Sequence, residues 1–327
     1  MNEFKIIEKY FAPLTKQATT ESLGLKDDCA VITSQNQIII NVDSIIEGEH
    51  FFPQDPPSSI AHKLLNVNLS DIASMGATPK YWTLAITLPR NSFINELWLQ
   101  EFTNTLAKIQ QQYNFYLISG DTTFSNHSLM LSANIFGEIP KNITPLKKST
   151  AQIGDIICVS GSIGDGYWGL QMRQSEVNNQ ALNIHISPED KKYLINRYLY
   201  PQARINLGKL LLNKASACTD ISDGLWADIE KLCKYSTVHG VINVEDIPLS
   251  QAVHNITIED KTIKSITGGD DYELAFCISE ENFAELKNID ILITKIGYIK
   301  EIDNTNHHIS LFHNGNLLHT SKKGYNY

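Results

Sequence analysis

SSIAHKLLNVNLSDIASMGATP, residues 58–79, reads as one helix with both ends signed. Pro56-Pro57 stops whatever precedes it, and Ser58 or Ser59 can cap the first free N–H groups. Gly76 stands where a left-handed C-terminal cap belongs, and Pro79 prevents the helix from resuming. Ile60, Leu64, Val67 and Met75 recur at helical spacing and predict a core-facing stripe. Asn68 and Asp71 fall on or beside that stripe, three residues apart on one face. A bare buried carboxylate is costly or becomes protonated. Asp71 therefore needs a cation or a hydrogen bond from a neighbouring loop. Taken alone the loop is the simpler answer; the rest of the chain favours the cation.

Upstream, Lys26-Asp27-Asp28 precedes the apolar run Cys29-Ala30-Val31-Ile32. Gln37 to Val42 is a β-branched run that predicts a buried strand, with Asp43 at its C-terminal end and His50 in the following loop. Downstream, Trp82 to Leu88 has strand character, and Trp98, Phe102, Leu106, Ile109 and Tyr113 mark a helix. Phe115 to Ile118 predicts a strand ending in Ser119-Gly120-Asp121-Thr122-Thr123, and Leu129 to Phe136 another. Lys147-Lys148-Ser149-Thr150 is the best boundary, dividing the chain into domains 1–149 and 150–327. The pattern throughout is mixed α+β and α/β.

In the second domain, Ile156 to Ser160 predicts a strand, and Gly161-Ser162-Ile163-Gly164-Asp165-Gly166 leads into a helix. Such a turn can present N–H groups to a phosphate. It is neither a Walker A loop nor G-x-G-x-x-G, so a Rossmann reading has no support. Ala217 to Ile221 runs into Ser222-Asp223-Gly224, putting Asp220 and Asp223 on a strand-to-helix corner. Gly268-Gly269-Asp270-Asp271-Tyr272-Glu273 forms a second acidic corner, and a hairpin around Asn314-Gly315 closes the chain.

The 327 residues suffice for two domains with full cores, and 42% hydrophobic with 19% charged residues is ordinary for a globular protein. A net charge of -9 argues against nucleic acid or an anionic membrane as partner. The five cysteines show no C-x-x-C spacing, and four lie in apolar runs or on an apolar helical face, as small core residues do. With no signal-peptide core and no membrane-length apolar run, the cytoplasm is the expected compartment.

Acidic corners supplying oxygen ligands, without His or Cys clusters, point to Mg²⁺ rather than zinc or copper. Mg²⁺ holds few carboxylates and keeps water or phosphate oxygens, so this many acids imply several ions bridged by a polyphosphate such as a nucleoside triphosphate. Loop aspartates scattered over two domains would account for any one corner, though poorly for the whole set.

Asp27-Asp28-Cys29-Ala30-Val31, Val42-Asp43 with Glu47-Gly48-Glu49-His50-Phe51, Asn68 to Ala77, Gly120-Asp121-Thr122-Thr123, Asp220 to Leu225 and Gly268 to Leu274 together resemble the thiamine-monophosphate kinase family. The match runs in order from about residue 4 to Lys323-Gly324-Tyr325. Single motifs recur across the superfamily that includes aminoimidazole-ribonucleotide synthetase and selenophosphate synthetase. The pair NLSDIASMGA and GGDDYEL is specific to the kinase.

The resemblance implies ATP-dependent phosphorylation of thiamine monophosphate to thiamine diphosphate, with several Mg²⁺ ions. It implies a two-domain aminoimidazole-ribonucleotide synthetase-like fold, whose N-terminal strands form a barrel across a homodimer. By position, Asp28, Asp43, Asp71, Asp121, Asp220 and Asp223 would ligate metal, with Asn41 and Val42 alongside. Gly120, Asp121, Lys148 and Ser222 would lie at ATP; His50, Asp270 and Tyr325 would lie at thiamine monophosphate. Tyr325 could equally be a packed C-terminal aromatic.

The chain departs from the family pattern at several positions. Lys26, Ser119 and Asp270 replace Gly, Gly and Glu, Lys148 stands where Arg is common, and Asn41-Val42 stand where Ser/Thr-Thr is usual. A Val side chain has no oxygen to offer a metal, which leaves Val42 only its carbonyl. The alternatives are another ATP-using enzyme of the superfamily, or a non-catalytic nucleotide-binding relative.

Overall fold

The computed structural model describes residues 3–25, 29–90, 94–180, 182, 184–286, 289–302, 308–318 and 324. Two compact units emerge: Met1–Ile72 with Ala77–Asn142, and Ala73–Gly76 with Ile143–Tyr327.

The first unit is built on strands β1 (Gln37–Ile46), β2 (Thr78–Pro89), β3 (Tyr116–Ser125) and β4 (Met130–Ile139), in the order β1-β4-β2-β3. Only β2 and β3 run parallel. Between β1 and β2 comes the helix Pro57–Ser74. Pro57 sits in its first turn, where a missing N–H costs nothing. Ser59 does not cap: its hydroxyl donates to the Pro56 carbonyl at 2.8 Å. At the far end Gly76 has φ +76°, the Gly76 N–H reaches Ala73 O, and the Ala77 N–H reaches Ile72 O. This is a Schellman cap, which a Cβ at Gly76 would strain.

Of the stripe expected on this helix, Ile60, Leu64 and Val67 are buried, but burial is not confined to one stripe. Leu64, Leu65, Leu69 and Ile72 are buried, but so are Lys63, Asn66, Asn68 and Ser70, so almost the whole surface is covered. Met75 is only half-buried and lies past the helix end. Small and amide side chains let neighbours approach from every side, which a one-stripe reading misses.

Strand β1 is a correction. It is an edge strand, with Ile40 60% and Val42 57% exposed, and Asp43 lies inside it rather than at its end. Nor is β2 buried on both faces: Trp82, Leu84, Ile86 and Leu88 are buried while Ala85 is exposed. One face of this largely antiparallel sheet packs and the other meets solvent.

The second unit holds seven strands: β5 (Ile156–Ser160), β6 (Ala215–Asp220), β7 (His239–Asn243), β8 (Leu274–Ile278), β9 (Ile293–Lys300), β10 (Ile309–His313) and β11 (Asn316–Leu317). Their order is β11-β10-β7-β9-β5-β8-β6. β5 and β8 are buried throughout, and the helix Leu225–Ser236 packs Leu225, Ile229 and Leu232 into the same core as Ile157, Ala217 and Ala275. Cys158, Cys218, Cys233 and Cys277 are free, buried thiols, and burial pushes Cys158 up to about 12. The last hairpin turns at Asn314-Gly315. Among the described residues no helix is long and apolar enough to cross a membrane.

Candidate functional site

Alternation along β1 turns Asn41 and Asp43 toward the helix Pro57–Ser74 and Val42 away from it. Asn41 Nδ2 donates to Asn68 Oδ1 at 3.0 Å and to Asp71 Oδ2 at 3.1 Å. The Asp43 N–H donates to the same Asn68 oxygen at 2.9 Å, and Asn68 Nδ2 anchors on the Leu64 carbonyl at 2.8 Å. Asn41 Oδ1, by contrast, is buried and finds no hydrogen-bond donor among the described residues. A buried acceptor without a donor is costly, and here it lies on a side chain bonded to a carboxylate. An oxygen-only donor set of this kind fits Mg²⁺.

His50 follows directly. Its Nδ1 accepts the Ile46 N–H at 3.2 Å, so the neutral ring carries its proton on Nε2. The His50 carbonyl accepts from the buried ammonium of Lys63 at 3.1 Å.

Asp121 lies elsewhere. It sits inside β3, the opposite edge of the sheet from β1, and not past the end of a strand as expected. Three inter-strand spacings separate the edges, roughly 14 Å. Asp121 pairs in register with the exposed Ala85, on the face that also carries Val42. The first unit therefore brings Asn41, Asp43 and Asp71 together and leaves Asp121 apart. Beside Gly120 and Asp121 is a cavity of about 80 Å³ with walls from Ile7, Phe11, Leu84, Ile86 and Leu117.

In the second unit the two acidic corners are knitted together. The Asp270 N–H donates to Ser222 O, Tyr272 N–H to Ile221 O, and Ile221 N–H to Glu273 O, at 2.8–3.0 Å. Gly269 allows this, because a Cβ there would strike the Ser222 carbonyl. Asp270 (φ +69°) and Tyr272 (φ +53°) are left-handed, and the Tyr272 hydroxyl donates to Asp270 Oδ1 at 3.1 Å. A non-glycine residue at positive φ persists only where its surroundings impose it.

Asp271 between them and Glu273 just beyond supply that constraint. Glu273 is fully buried, paired with Arg197 at 3.0 Å and bidentately with Arg204, and accepts the Ser160 hydroxyl at 2.6 Å. Asp271, 1% exposed, accepts the N–H groups of Gly164 at 2.8 Å and Gly166 at 3.0 Å. Burial pushes its carboxyl well above the usual range, against those two bonds. This corrects the reading of the Gly161–Gly166 turn as a phosphate cradle. Two of its N–H groups are already taken by the carboxyl group of the chain's own Asp271.

At the other corner, buried Asp228 accepts the Ser222 and Asp223 N–H groups on Oδ2, at 3.0 and 2.9 Å. Lys231 bridges Asp223 Oδ2 and Asp228 Oδ1. Burial pushes the Asp228 carboxyl up to about 6, though Lys231 pulls it down. Burial would lower the Lys231 ammonium, but its bonds to Asp223 and Asp228 outweigh that and raise it. Asp220 is buried at the end of β6, while Ser222 and Lys148 are half-buried. Asp28 and Tyr325 lie outside the described residues. No group of three or more His, Cys, Asp or Glu is gathered at metal-holding distance among the described residues.

Arg197, Arg204, Asp228 and Lys231 escaped sequence reasoning, and so did the pairing of Glu273 with the two arginines. Asp228 and Lys231 stand three apart on one helix and were findable by spacing. Arg197 meets Glu273 across 76 positions, and no local signal announces that.

Residues 26–139 match the family model described as AIR synthase related protein, N-terminal domain. The thiamine-monophosphate kinase of Buchnera aphidicola subsp. Acyrthosiphon pisum is 36% identical, over 99% of this chain and 98% of its own. Among solved structures, that of thiamine-monophosphate kinase from Stenotrophomonas maltophilia K279a is 30% identical with a TM-score of 0.81, over 95% of this chain and 96% of that one. A second, AaThiL complexed with AMPPCP and TMP, is 26% identical with a TM-score of 0.76, over 99% and 96%. Likeness at this level over the whole length places the mixed α/β chain, with its knitted acidic corners, in the thiamine-monophosphate kinase family.

Proposed function

We propose that the protein transfers the terminal phosphoryl group of ATP to thiamine monophosphate, giving thiamine diphosphate and ADP. The observation that carries this reading is kinship with curated kinases over essentially the full chain. The chemistry suits it. The acceptor is a phosphate oxygen, already ionised near neutral pH because a second phosphate pKa is about 6. No general base is needed; the protein's task is to hold two anions in line.

His50 serves as a donor rather than a base, since the Ile46 N–H occupies its Nδ1 and leaves the proton on Nε2. With Asp270 and Tyr325 it lines the thiamine monophosphate subsite. Lys148, Ser222, Gly120 and Asp121 serve ATP, and the cavity beside Gly120 joins apolar walls to polar groups such as Ser119 and Thr122. Asp28, Asn41, Val42 through its carbonyl, Asp43, Asp71, Asp121, Asp220 and Asp223 are the residues that would hold Mg²⁺. The bound metal would offset the repulsion between the two phosphate groups.

The N-terminal domain, to about residue 149, would carry metal and nucleotide and pair with a second copy. The exposed Ile40, Val42 and Met130 support a homodimer whose N-terminal strands form a barrel across the two copies. Asp121 lies on that same face, where such a partner would sit. Cytoplasmic location follows from the substrates.

The test is ADP release from ATP with and without thiamine monophosphate, and with unphosphorylated thiamine. Release should depend on the monophosphate, and thiamine should be a poor acceptor for want of a base. Equal rates with thiamine would overturn the mechanism.

A further inference from the structure

One cation is already in place at the acidic corner of the second unit. Lys231 lies two turns into the helix Leu225–Ser236, and its ammonium joins Asp223 Oδ2 to Asp228 Oδ1. The two carboxylates are held differently. Asp228 is 1% exposed and pinned by the Ser222 and Asp223 N–H groups, so it cannot follow a departing partner. The Asp223 side chain is 35% exposed and that of Lys231 40%, so both can move.

We propose that Lys231 is a resident counter-cation for Asp223: it balances the corner until a divalent cation arrives, then yields Asp223 and keeps Asp228. The proposal rests on the reading of Asp223 as a metal ligand. Three carboxylates, Asp220, Asp223 and Asp228, fall within nine positions, where their repulsion would otherwise open the turn. A partly exposed ion pair is weak enough to exchange, and a divalent ion brings twice the charge. Lysine suits the role, because a compact charge on a flexible stem withdraws more easily than a planar guanidinium fork. The ammonium that remains on Asp228 repels the incoming ion, so Lys231 sets how tightly the corner binds metal.

The experiment titrates Mn²⁺ alone into the full chain, reading free ion by electron paramagnetic resonance. It compares the natural protein with Lys231→Met, Lys231→Arg and Asp223→Asn. Asp223→Asn should lose a class of Mn²⁺ sites. Lys231→Met should bind that class roughly three- to tenfold more tightly, from removal of one nearby positive charge. Lys231→Arg should bind it no more tightly than the natural protein. If Lys231→Met lowers the thermal midpoint and leaves Mn²⁺ affinity unchanged, Lys231 merely staples its helix and the proposal falls. If Asp223→Asn keeps every Mn²⁺ site, the assignment of Asp223 as ligand falls first and takes the proposal with it.

Discussion

Asn41 Nδ2 lies 3.1 Å from Asp71 Oδ2, tying the edge strand β1 to the largely buried helix Pro57–Ser74. The amide has spent its donors on Asn68 and Asp71 and keeps its oxygen unpaired among the described residues. Asn41→Ala should cost about 1 kcal/mol in stability and raise the Mg²⁺ requirement without abolishing turnover. Val42→Thr should be nearly silent, since that side chain is 57% exposed on the opposite face. Mg²⁺ titration at fixed ATP tests both. A markedly tighter Mg²⁺ dependence in Val42→Thr would show that the side chain matters.

Asp71→Asn keeps the shape of the helix surface and the possibility of a bond to Asn41, while removing one charge. Turnover should fall by at least about a hundredfold, the scale seen when one preorganised electrostatic group is lost. The thermal midpoint should shift by only about 2 °C. Near-normal turnover, or a large loss of stability, would remove Asp71 from the centre of the site.

Glu273→Gln should be the most destabilising conservative change. It leaves the half-buried Arg197 and Arg204 without the buried carboxylate they share, although Arg197 keeps Asp165; breaking such a pair costs about 3–5 kcal/mol. The midpoint should drop on the order of 10 °C. A drop within experimental scatter would mean that the arginines find another partner.

Asp271 sets a pH dependence of known sign. Burial makes its carboxyl hold the proton more tightly folded than unfolded. It therefore favours the fold below the ordinary carboxylate range and loses that contribution as pH rises through its raised folded-state pKa. Asp271→Asn cannot titrate. The stability of the natural protein relative to this variant should decline as pH rises from the ordinary carboxylate range toward neutrality. Melting curves that keep a constant offset over that range would refute the assignment.

Much of this was legible in the chain itself. Pro57 and Gly76 bound the central helix because a missing N–H and a left-handed cap are local properties, settled within a few residues. The acidic corners of the second unit were legible for the same reason, since each occupies one turn between a helix and a strand and its motif is contiguous. What tertiary structure decided is which neighbour each group meets. A glycine turn that could cradle phosphate holds Asp271 instead, because a carboxylate 105 positions away reaches its N–H groups first. β1 reads as a buried strand, yet it forms an edge, because strand order depends on pairings no single segment encodes. Glu273 looks like one more acid in a loop, but its two arginines arrive from 69 and 76 positions away. Local geometry is written in adjacent residues; satisfying a buried charge requires the whole fold.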